Sequence, residues 1–306
     1  KADAVTFENL AWQWAQSGFI DIWTTHLQFD SYMISRVIGT LYALTDRSLL
    51  MAQALSVGLG IGSVYMVYRL ADMLWGPSTA QKAALVAALF PTLVLYSALT
   101  MREAYIWFFF LLGLLGVAHW ASGRTIKGSF FAVLGFVLAT LFHGAMFIAL
   151  AAFLAILGWS SLKSLTKRLS AGFVRPVAAA GLLVSILAVG SYLAGTYSVP
   201  KFGSIDQLLN AERVLSRIED VSHDSASYPQ WMVPESLFEI LYLTPARTAY
   251  FLFAPFPWDV TSPRHLVGMA DGMLYLGLFA LMWRNRKGLW ANPRARPVLL
   301  VLLPVL

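Results

Sequence analysis

Apolar stretches about as long as a bilayer is thick recur along this chain, and they limit what it can fold into. Residues 49–68 and 104–120 contain no Lys, Arg, Asp or Glu, and a helix that crosses a membrane needs about 20 such residues. Hydrophobic residues make up 58% of the 306 residues and charged residues only 12%, whereas a soluble domain carries about 25% charged residues. The sequence therefore predicts an all-α, polytopic transmembrane helical bundle.

Several stretches predict full crossings of the membrane. The predicted spans are 49–68, 83–97, 104–120, 177–194 and 266–283. A longer stretch, 130–159, has too many residues for one comfortable crossing and is interrupted at Phe142-His143-Gly144. It therefore predicts two short helices that turn at His143.

Other segments predict helices that do not cross. Residues 1–30 have apolar side chains at helical spacing and polar ones between them, which predicts a helix lying at the interface. The apolar positions of this helix are Phe7, Leu10, Ala11 and Trp14. Residues 32–44 are apolar but about half the length of a crossing and contain Arg36, which predicts a short or re-entrant helix. Residues 250–257 end in proline and predict a segment that dips into the membrane and returns.

The whole chain, 1–306, is predicted to be one transmembrane domain. Its parts are an extracytoplasmic interfacial segment (1–47), transmembrane helices (48–196), a long extracytoplasmic loop (197–245), and a re-entrant segment with C-terminal transmembrane helices (246–306). The loop contains Tyr228-Pro-Gln-Trp231, which favours a folded cover over a solvated tail. We also expect further spans beyond both ends, because Lys1 is no natural start and the chain stops in an apolar run.

The distribution of charge predicts the orientation. If the loops near 69–82, 121–128, 159–176 and 284–297 share one side, that side holds 13 of the 22 Lys and Arg residues and a single acid, Asp72. Those 13 residues are Arg69, Lys82, Arg124, Lys127, Lys163, Lys167, Arg168, Arg175, Arg284, Arg286, Lys287, Arg294 and Arg296. Cytoplasmic loops are enriched in Lys and Arg, so this side is predicted to be cytoplasmic.

Composition also excludes some function classes. The net charge of +6 is explained by the loops that set topology, so we expect no nucleic-acid partner. The chain has no cysteine, which excludes a disulfide framework, a thiolate metal site and a cysteine nucleophile. Its five scattered histidines show no metal-ligand spacing.

Arg102 and Glu103 lie in a short polar stretch between two apolar ones, which makes them candidates for a functional role. An ion at such a position costs several kcal/mol unless it is solvated or paired. An ion pair at the end of a span, with its side chains reaching the interface, is the alternative to a functional role. The same choice applies to His143, which lies at a helix break.

The predicted outer side holds further candidate residues. Asp3 and Glu8 belong either to the wet face of the interfacial helix or to an active site. Arg213 and Arg217 are four residues apart and also fit a solvated helical face. Arg36 in a short apolar helix requires an anionic partner.

These residue types suit the transfer of a sugar from a lipid carrier. A polyprenyl phosphate or diphosphate is an anionic leaving group at the lipid surface, and arginine binds phosphate as a planar fork. The acceptor hydroxyl needs a general base, normally Asp or Glu.

The order of elements resembles the GT-C superfamily of integral membrane glycosyltransferases. The motifs that carry the resemblance are Asp3-Ala-x-x-Phe-x-x-x-Ala11, Val-Tyr-Arg69-Leu-Ala-x-x-Leu-Trp-Gly76, Phe90-Pro91-Thr-Leu-Val-Leu-Tyr-Ser97-x-x-x-x-Arg102-Glu103-Ala and Leu141-Phe-His143-Gly144. The last two are most similar to surface-polysaccharide polymerases of the Wzy and EpsG kind. The resemblance covers about residues 3–160.

The resemblance implies an enzyme of the bacterial cytoplasmic membrane with an extracytoplasmic active site. Donor and acceptor would be polyprenyl-linked saccharides, with membrane lipid and polysaccharide-assembly proteins as further partners. Asp3 would be the base, or a ligand if a divalent metal takes part. Many GT-C enzymes follow this Asp with a second acid, whereas here Ala4 follows, which makes Glu8 a competitor. Arg102 and His143 would face the lipid phosphate or the acceptor.

The predicted function is therefore a repeat-unit polymerase of O-antigen, capsule or exopolysaccharide assembly. The predicted catalytic residues are Asp3, Glu8, Arg102 and His143, and the predicted substrate-binding residues are Arg36, Glu103, Arg213, Arg217 and Arg247. The alternatives are a single-sugar GT-C transferase, a polysaccharide or lipid transporter, and a non-catalytic subunit of an export assembly.

Overall fold

The computed structural model describes residues 2–24, 32–168, 229–234 and 236–305. All regular secondary structure in these ranges is helical. Five of the described helices are long and apolar enough to cross a membrane, which confirms the predicted all-α transmembrane class. The chain divides into two compact units, Lys1–Ala188 with Lys287–Leu306, and Val189–Arg286.

The described helices are numbered along the chain. They are α1 (Ala2–Ser17), α2 (Phe19–Thr24), α3 (Met33–Thr45), α4 (Leu49–Trp75), α5 (Pro77–Leu89), α6 (Pro91–Ser97), α7 (Glu103–Ala121), α8 (Thr125–Phe142), α9 (Phe147–Arg168), α10 (Leu237–Phe253), α11 (Pro263–Arg284), α12 (Arg286–Ala291) and α13 (Ala295–Leu302). Single 3-10 turns lie at Gly144–Met146, Gln230–Met232 and Pro257–Asp259.

Helices α1 and α2 begin the chain, and neither is among the helices long and apolar enough to cross a membrane. Gly18, with φ +102°, separates them, and only glycine adopts this conformation readily. Phe7 and Ala11 of α1 share a buried cluster with Ile34 and Ile38 of α3. The first residues thus form a helix that packs on α3 by one face, and its position at the membrane interface stays a prediction.

Two predicted spans differ in length or shape from the observed helices. The first continues past residue 68 to Trp75, where Gly76 ends it with φ +87°. The second, predicted over 83–97, is α5 and α6, which bend by 61° at the break between them. Pro91 causes this break, because the residue before a proline is pushed into extended backbone, and Phe90 has ψ 112°.

The stretch 130–159 is interrupted at His143, as the sequence predicts. The prediction of two short helices is wrong, however, because α8 begins at Thr125 and α9 continues to Arg168, and both pass as full crossings. The sequence predicts that Arg124 and Lys127 lie in a loop, whereas Lys127 lies in the first turn of α8. Long basic side chains can reach the interface from a helix end.

The turns of the first unit alternate between two ends, as expected for consecutive crossings. The turns at 46–48, 98–102 and 143–146 fall at one end, which we call the outer end, because Thr100 and Arg47 both bond to α1 and Tyr105 stacks on Phe142. The turns at 76 and 122–124 lie at the other. Asn292 donates a hydrogen bond to the Leu74 carbonyl at 2.8 Å, so the basic segment before α13 belongs to this second end, as the charge distribution predicts.

In the second unit, α10 begins inside the predicted extracytoplasmic loop. Ser236 caps it by accepting a hydrogen bond from the Glu239 amide. The segment 250–257 is therefore not a separate dip, because its first residues are the last turn of α10. The predicted span 177–194 and most of the loop 197–245 lie outside the described residues.

Helices α7 and α8 pack closely through glycines. A Cβ added at Gly116 would lie 2.7 Å from the Ala132 Cα, and one added at Gly135 would lie 2.7 Å from the Gly113 Cα. Small residues allow transmembrane helix backbones to approach in this way. The pair positions the first turn of α7 beside the last turn of α8 at the outer end.

Gly116→Val is expected to destabilise the protein by more than about 2 kcal/mol, because its side chain overlaps the α8 backbone. The matched control is Gly158→Ala, since none of the described residues outside its own stretch of helix has a heavy atom within 4 Å of that Cβ position, and it should change stability by less than about 1 kcal/mol. Thermal unfolding of the purified protein in detergent measures both. Equal unfolding temperatures for the two variants would contradict the packing.

Sidedness can be measured in the otherwise cysteine-free chain. Ala98 lies at the outer end and Ser78 at the opposite end, and both are exposed. We expect Ala98→Cys to react with a membrane-impermeant maleimide in intact spheroplasts, and Ser78→Cys to react only after permeabilisation. The reverse pattern would show that the positive-inside assignment is inverted.

Candidate functional site

The predicted polar residues of α1, α7 and the α8–α9 turn share the outer end of the first unit. Thr100, in the turn before α7, donates a hydrogen bond to the Ala4 carbonyl of α1 at 3.0 Å. Tyr105 of α7 stacks on Phe142 of α8, with ring centroids 5.0 Å apart. Asp3 precedes Ala4, Arg102 lies between Thr100 and Tyr105, and His143 follows Phe142, so packing brings these three parts of the chain to one region.

Arg102 and Glu103 begin α7 as a loose pair. The Arg102 Nε lies 3.7 Å from the Glu103 Oε1, which is too long for a hydrogen bond. Their side chains are 19% and 29% exposed. The other Glu103 oxygen, Oε2, is buried and has no hydrogen-bond partner among the described residues. A buried carboxylate oxygen without a hydrogen-bond donor lowers the stability of the folded protein by about 1–3 kcal/mol or more, and a donor would restore that stability.

Asp3 and His143 flank this pair on other elements. Asp3 is exposed in the first turn of α1. His143 is half-buried and has extended backbone, φ −153° and ψ 106°, where α8 ends and the 3-10 turn begins. The break that the sequence places at His143 therefore positions a histidine at the outer end and not within a helix.

Glu8 occupies a different environment from the one predicted. Its carboxylate accepts two hydrogen bonds from Arg47, at 2.9 and 2.6 Å, and one from the Tyr42 hydroxyl at 3.0 Å. Arg47 also donates to Asn9 at 2.9 Å and lies over the Trp12 ring at 5.7 Å. We call this set the Glu8 clamp.

The clamp makes Glu8 unsuitable as a general base. Glu8 is only 7% exposed, and the hydrogen bonds from Arg47, with a contribution from Tyr42, hold the pKa of its carboxylate below the ordinary value. A low pKa and three hydrogen-bond donors both weaken a base. The position of Glu8 therefore argues against its predicted competition with Asp3.

The Arg36 side chain also makes its contacts within the fold. It is 2% exposed, donates to the Ile22 carbonyl, and lies over the Trp14 ring at 4.9 Å. These contacts join α1, α2 and α3. A guanidinium buried in this way has no surface for the substrate phosphate that the sequence assigned to it.

The other predicted arginines lie elsewhere. Arg247 belongs to the second unit, where it is half-buried and donates to the Met232 carbonyl at 3.0 Å. Arg213 and Arg217 fall outside the described residues. Arg102 is thus the predicted phosphate ligand that the structure places at the outer end of the first unit.

An apolar groove leads to this end. It has a volume of about 500 Å³ and lies among α4, α5, α6 and α7. Its lining extends from Val67 in α4 to Ala98 and Ala104, and these two alanines flank the turn that contains Arg102. None of the described residues that line it is charged. Cavities of this size hold small-molecule ligands or their apolar chains.

Sequence reasoning missed the groove and the partner of Glu8. The groove depends on the bend between α5 and α6. Phe90-Pro91 lies inside a predicted span, and a proline there was the sequence signal for this bend. Arg47 lies 39 positions from Glu8, and no local pattern pairs residues at that distance.

The described ranges contain no group of three His, Asp or Glu side chains that could hold a metal ion. Asp3 therefore lacks the companion ligands, within those ranges, that a metal role would require.

No protein-family model, no curated protein and no solved structure matches the chain.

The clamp predicts sensitivity to acid. Because the hydrogen bonds from Arg47 hold the Glu8 pKa below its ordinary value in the folded state, the stabilisation is complete above that ordinary value and is lost as the pH falls through the folded pKa. Glu8→Gln should lower the unfolding temperature at pH 7 and reduce its decrease between about pH 5 and pH 3. Asp46→Asn, at an exposed neighbouring position, is the control. An unchanged pH dependence in Glu8→Gln would contradict the clamp.

Proposed function

We propose that the protein is a membrane glycosyltransferase that joins polyprenyl-linked saccharides at the outer face, as a repeat-unit polymerase of surface polysaccharide. The observation that carries this proposal is the uncharged groove that reaches the turn before Arg102. A polyprenyl phosphate combines a long apolar chain with an anionic head, and the groove and the arginine match these two parts in that order.

Each residue at the outer end has a role in this proposal. The isoprenoid chain lies in the groove, and Arg102 binds the phosphate at its end. Glu103, whose side chain is 29% exposed beside Arg102, accepts a hydrogen bond from a saccharide hydroxyl. Asp3, which is exposed and outside the Glu8 clamp, is the general base. His143 orients the acceptor from the α8–α9 turn.

The reaction follows from these roles. The acceptor hydroxyl oxygen attacks the anomeric carbon, and its proton passes to the Asp3 carboxylate. The bond between the anomeric carbon and the phosphate oxygen breaks, so the lipid phosphate leaves with the bonding electron pair. Arg102 stabilises the negative charge that develops on that leaving group.

Single substitutions test the site. Asp3→Asn, Arg102→Ala and His143→Ala should each reduce polymer formation by about 100-fold or more, because general bases and charge-stabilising groups contribute on that scale. Arg124→Ala, exposed in the loop at the opposite end, should leave polymer unchanged. The readout is surface polysaccharide together with lipid-linked intermediates, measured by mass spectrometry in a complemented deletion strain.

The intermediates decide between the polymerase and a single-sugar transferase. Accumulated complete repeat units in the deletion strain are expected for a polymerase, whereas a polymer lacking one side sugar would contradict it. Normal polymer in all three site variants, with the proteins folded, would refute the assignment of these residues.

A further inference from the structure

The turn after α10, in the second unit, carries an ordered pair of aromatic rings. Phe256 and Trp258 stack with their centroids 4.9 Å apart and their planes 12° from parallel. Trp258 is nevertheless 73% exposed. One face of the indole therefore covers Phe256, while most of the remaining ring surface is open.

Hydrogen bonds and ring contacts fix this pair in place. Tyr250 packs edge-on against Phe256 at 5.1 Å and donates its hydroxyl proton to Asp259, with 2.6 Å between the oxygens. Asp259 in turn accepts a hydrogen bond from the Phe256 amide at 3.0 Å, and Pro257 limits the backbone between the rings. The plane of the exposed indole is thus set by the fold.

Polar groups border the pair. The His265 Nδ1 lies 3.0 Å from the Asp259 carbonyl oxygen and 3.2 Å from the Thr261 amide nitrogen. These contacts hold a half-buried imidazole against the same turn. The exposed ring is therefore next to hydrogen-bonding side chains, including the exposed Thr261.

We propose that Trp258, supported by Phe256, is a stacking platform for a pyranose ring of the glycan. A pyranose presents a face of C–H groups, which are attracted to the negative face of an aromatic ring, while its hydroxyl groups bond to polar neighbours. An interfacial tryptophan that only anchors the protein to the membrane needs an amphipathic ring but no fixed ring plane. The stacked and hydrogen-bonded geometry favours the saccharide.

The identity of the ligand as glycan rests on the proposed function. The side of the membrane agrees with it, because α11 runs from Pro263, beside the platform, to Arg284, which is followed by Arg286 and Lys287. The positive-inside rule places the basic end in the cytoplasm and the platform outside.

Binding is measured with the full-length protein in nanodiscs. The probe is a set of oligosaccharide fragments from the source strain's own surface polysaccharide, freed of lipid. Trp258→Ala should weaken binding about tenfold, which corresponds to the loss of one aromatic stacking contact. Trp258→Phe should keep most of the affinity. Trp231→Ala, at a tryptophan that is 66% exposed in the same unit, should leave the affinity unchanged.

A second measurement does not depend on the folding of the Trp258 variants. Thr261→Cys supplies a single thiol next to the platform, and the saccharide fragments should slow its reaction with a membrane-impermeant maleimide. No protection, or no reaction with the maleimide at all, overturns the proposal. Wild-type affinity in Trp258→Leu also overturns it, because leucine keeps apolar anchoring without a ring.

The two proposals fail in different ways. Normal polymer in a deletion strain refutes the proposed function. Loss of polymer in that strain, together with unchanged fragment binding by Trp258→Ala, refutes the platform alone.

Discussion

The buried carboxylate of Glu8 fixes the first helix of the chain on the bundle. A carboxylate that is 7% exposed is stable only when it is paired and hydrogen-bonded, and Arg47 and Tyr42 supply both. They come from α3 and the turn before α4, so the interaction joins α1 to the beginning of the first crossing helix. Together with the Thr100 hydrogen bond to Ala4, it determines where Asp3 lies relative to Arg102.

Two interruptions of apolar stretches create the rest of the candidate site. Pro91 divides one crossing into α5 and α6, and the 61° bend accompanies the groove among α4 to α7. The break at His143 brings a histidine to the outer end, beside the stacked rings of Phe142 and Tyr105. Uninterrupted helices would leave neither the groove nor the histidine at this place.

Apolar length and breaks are local properties of the sequence, and they predicted where most of the first unit's helices lie but not the full lengths of α8 and α9 or the position of α10. The break at His143 and the short helix around Arg36 were found in this way. The roles of Glu8 and Arg36 were not, since each is determined by partners far away in the chain. A polar residue in an apolar setting shows that a partner exists, but it does not show whether that partner is the fold or a substrate.

The proposed function requires a lipid-linked phosphate whose chain lies in the groove and whose head lies at Arg102. Photo-crosslinking with a polyprenyl phosphate that carries a diazirine in the chain tests this directly. We expect crosslinked peptides from α4, α5, α6 and α7, and competition by unmodified polyprenyl phosphate. Crosslinks confined to other helices, or crosslinks in the groove that polyprenyl phosphate does not compete, would contradict it.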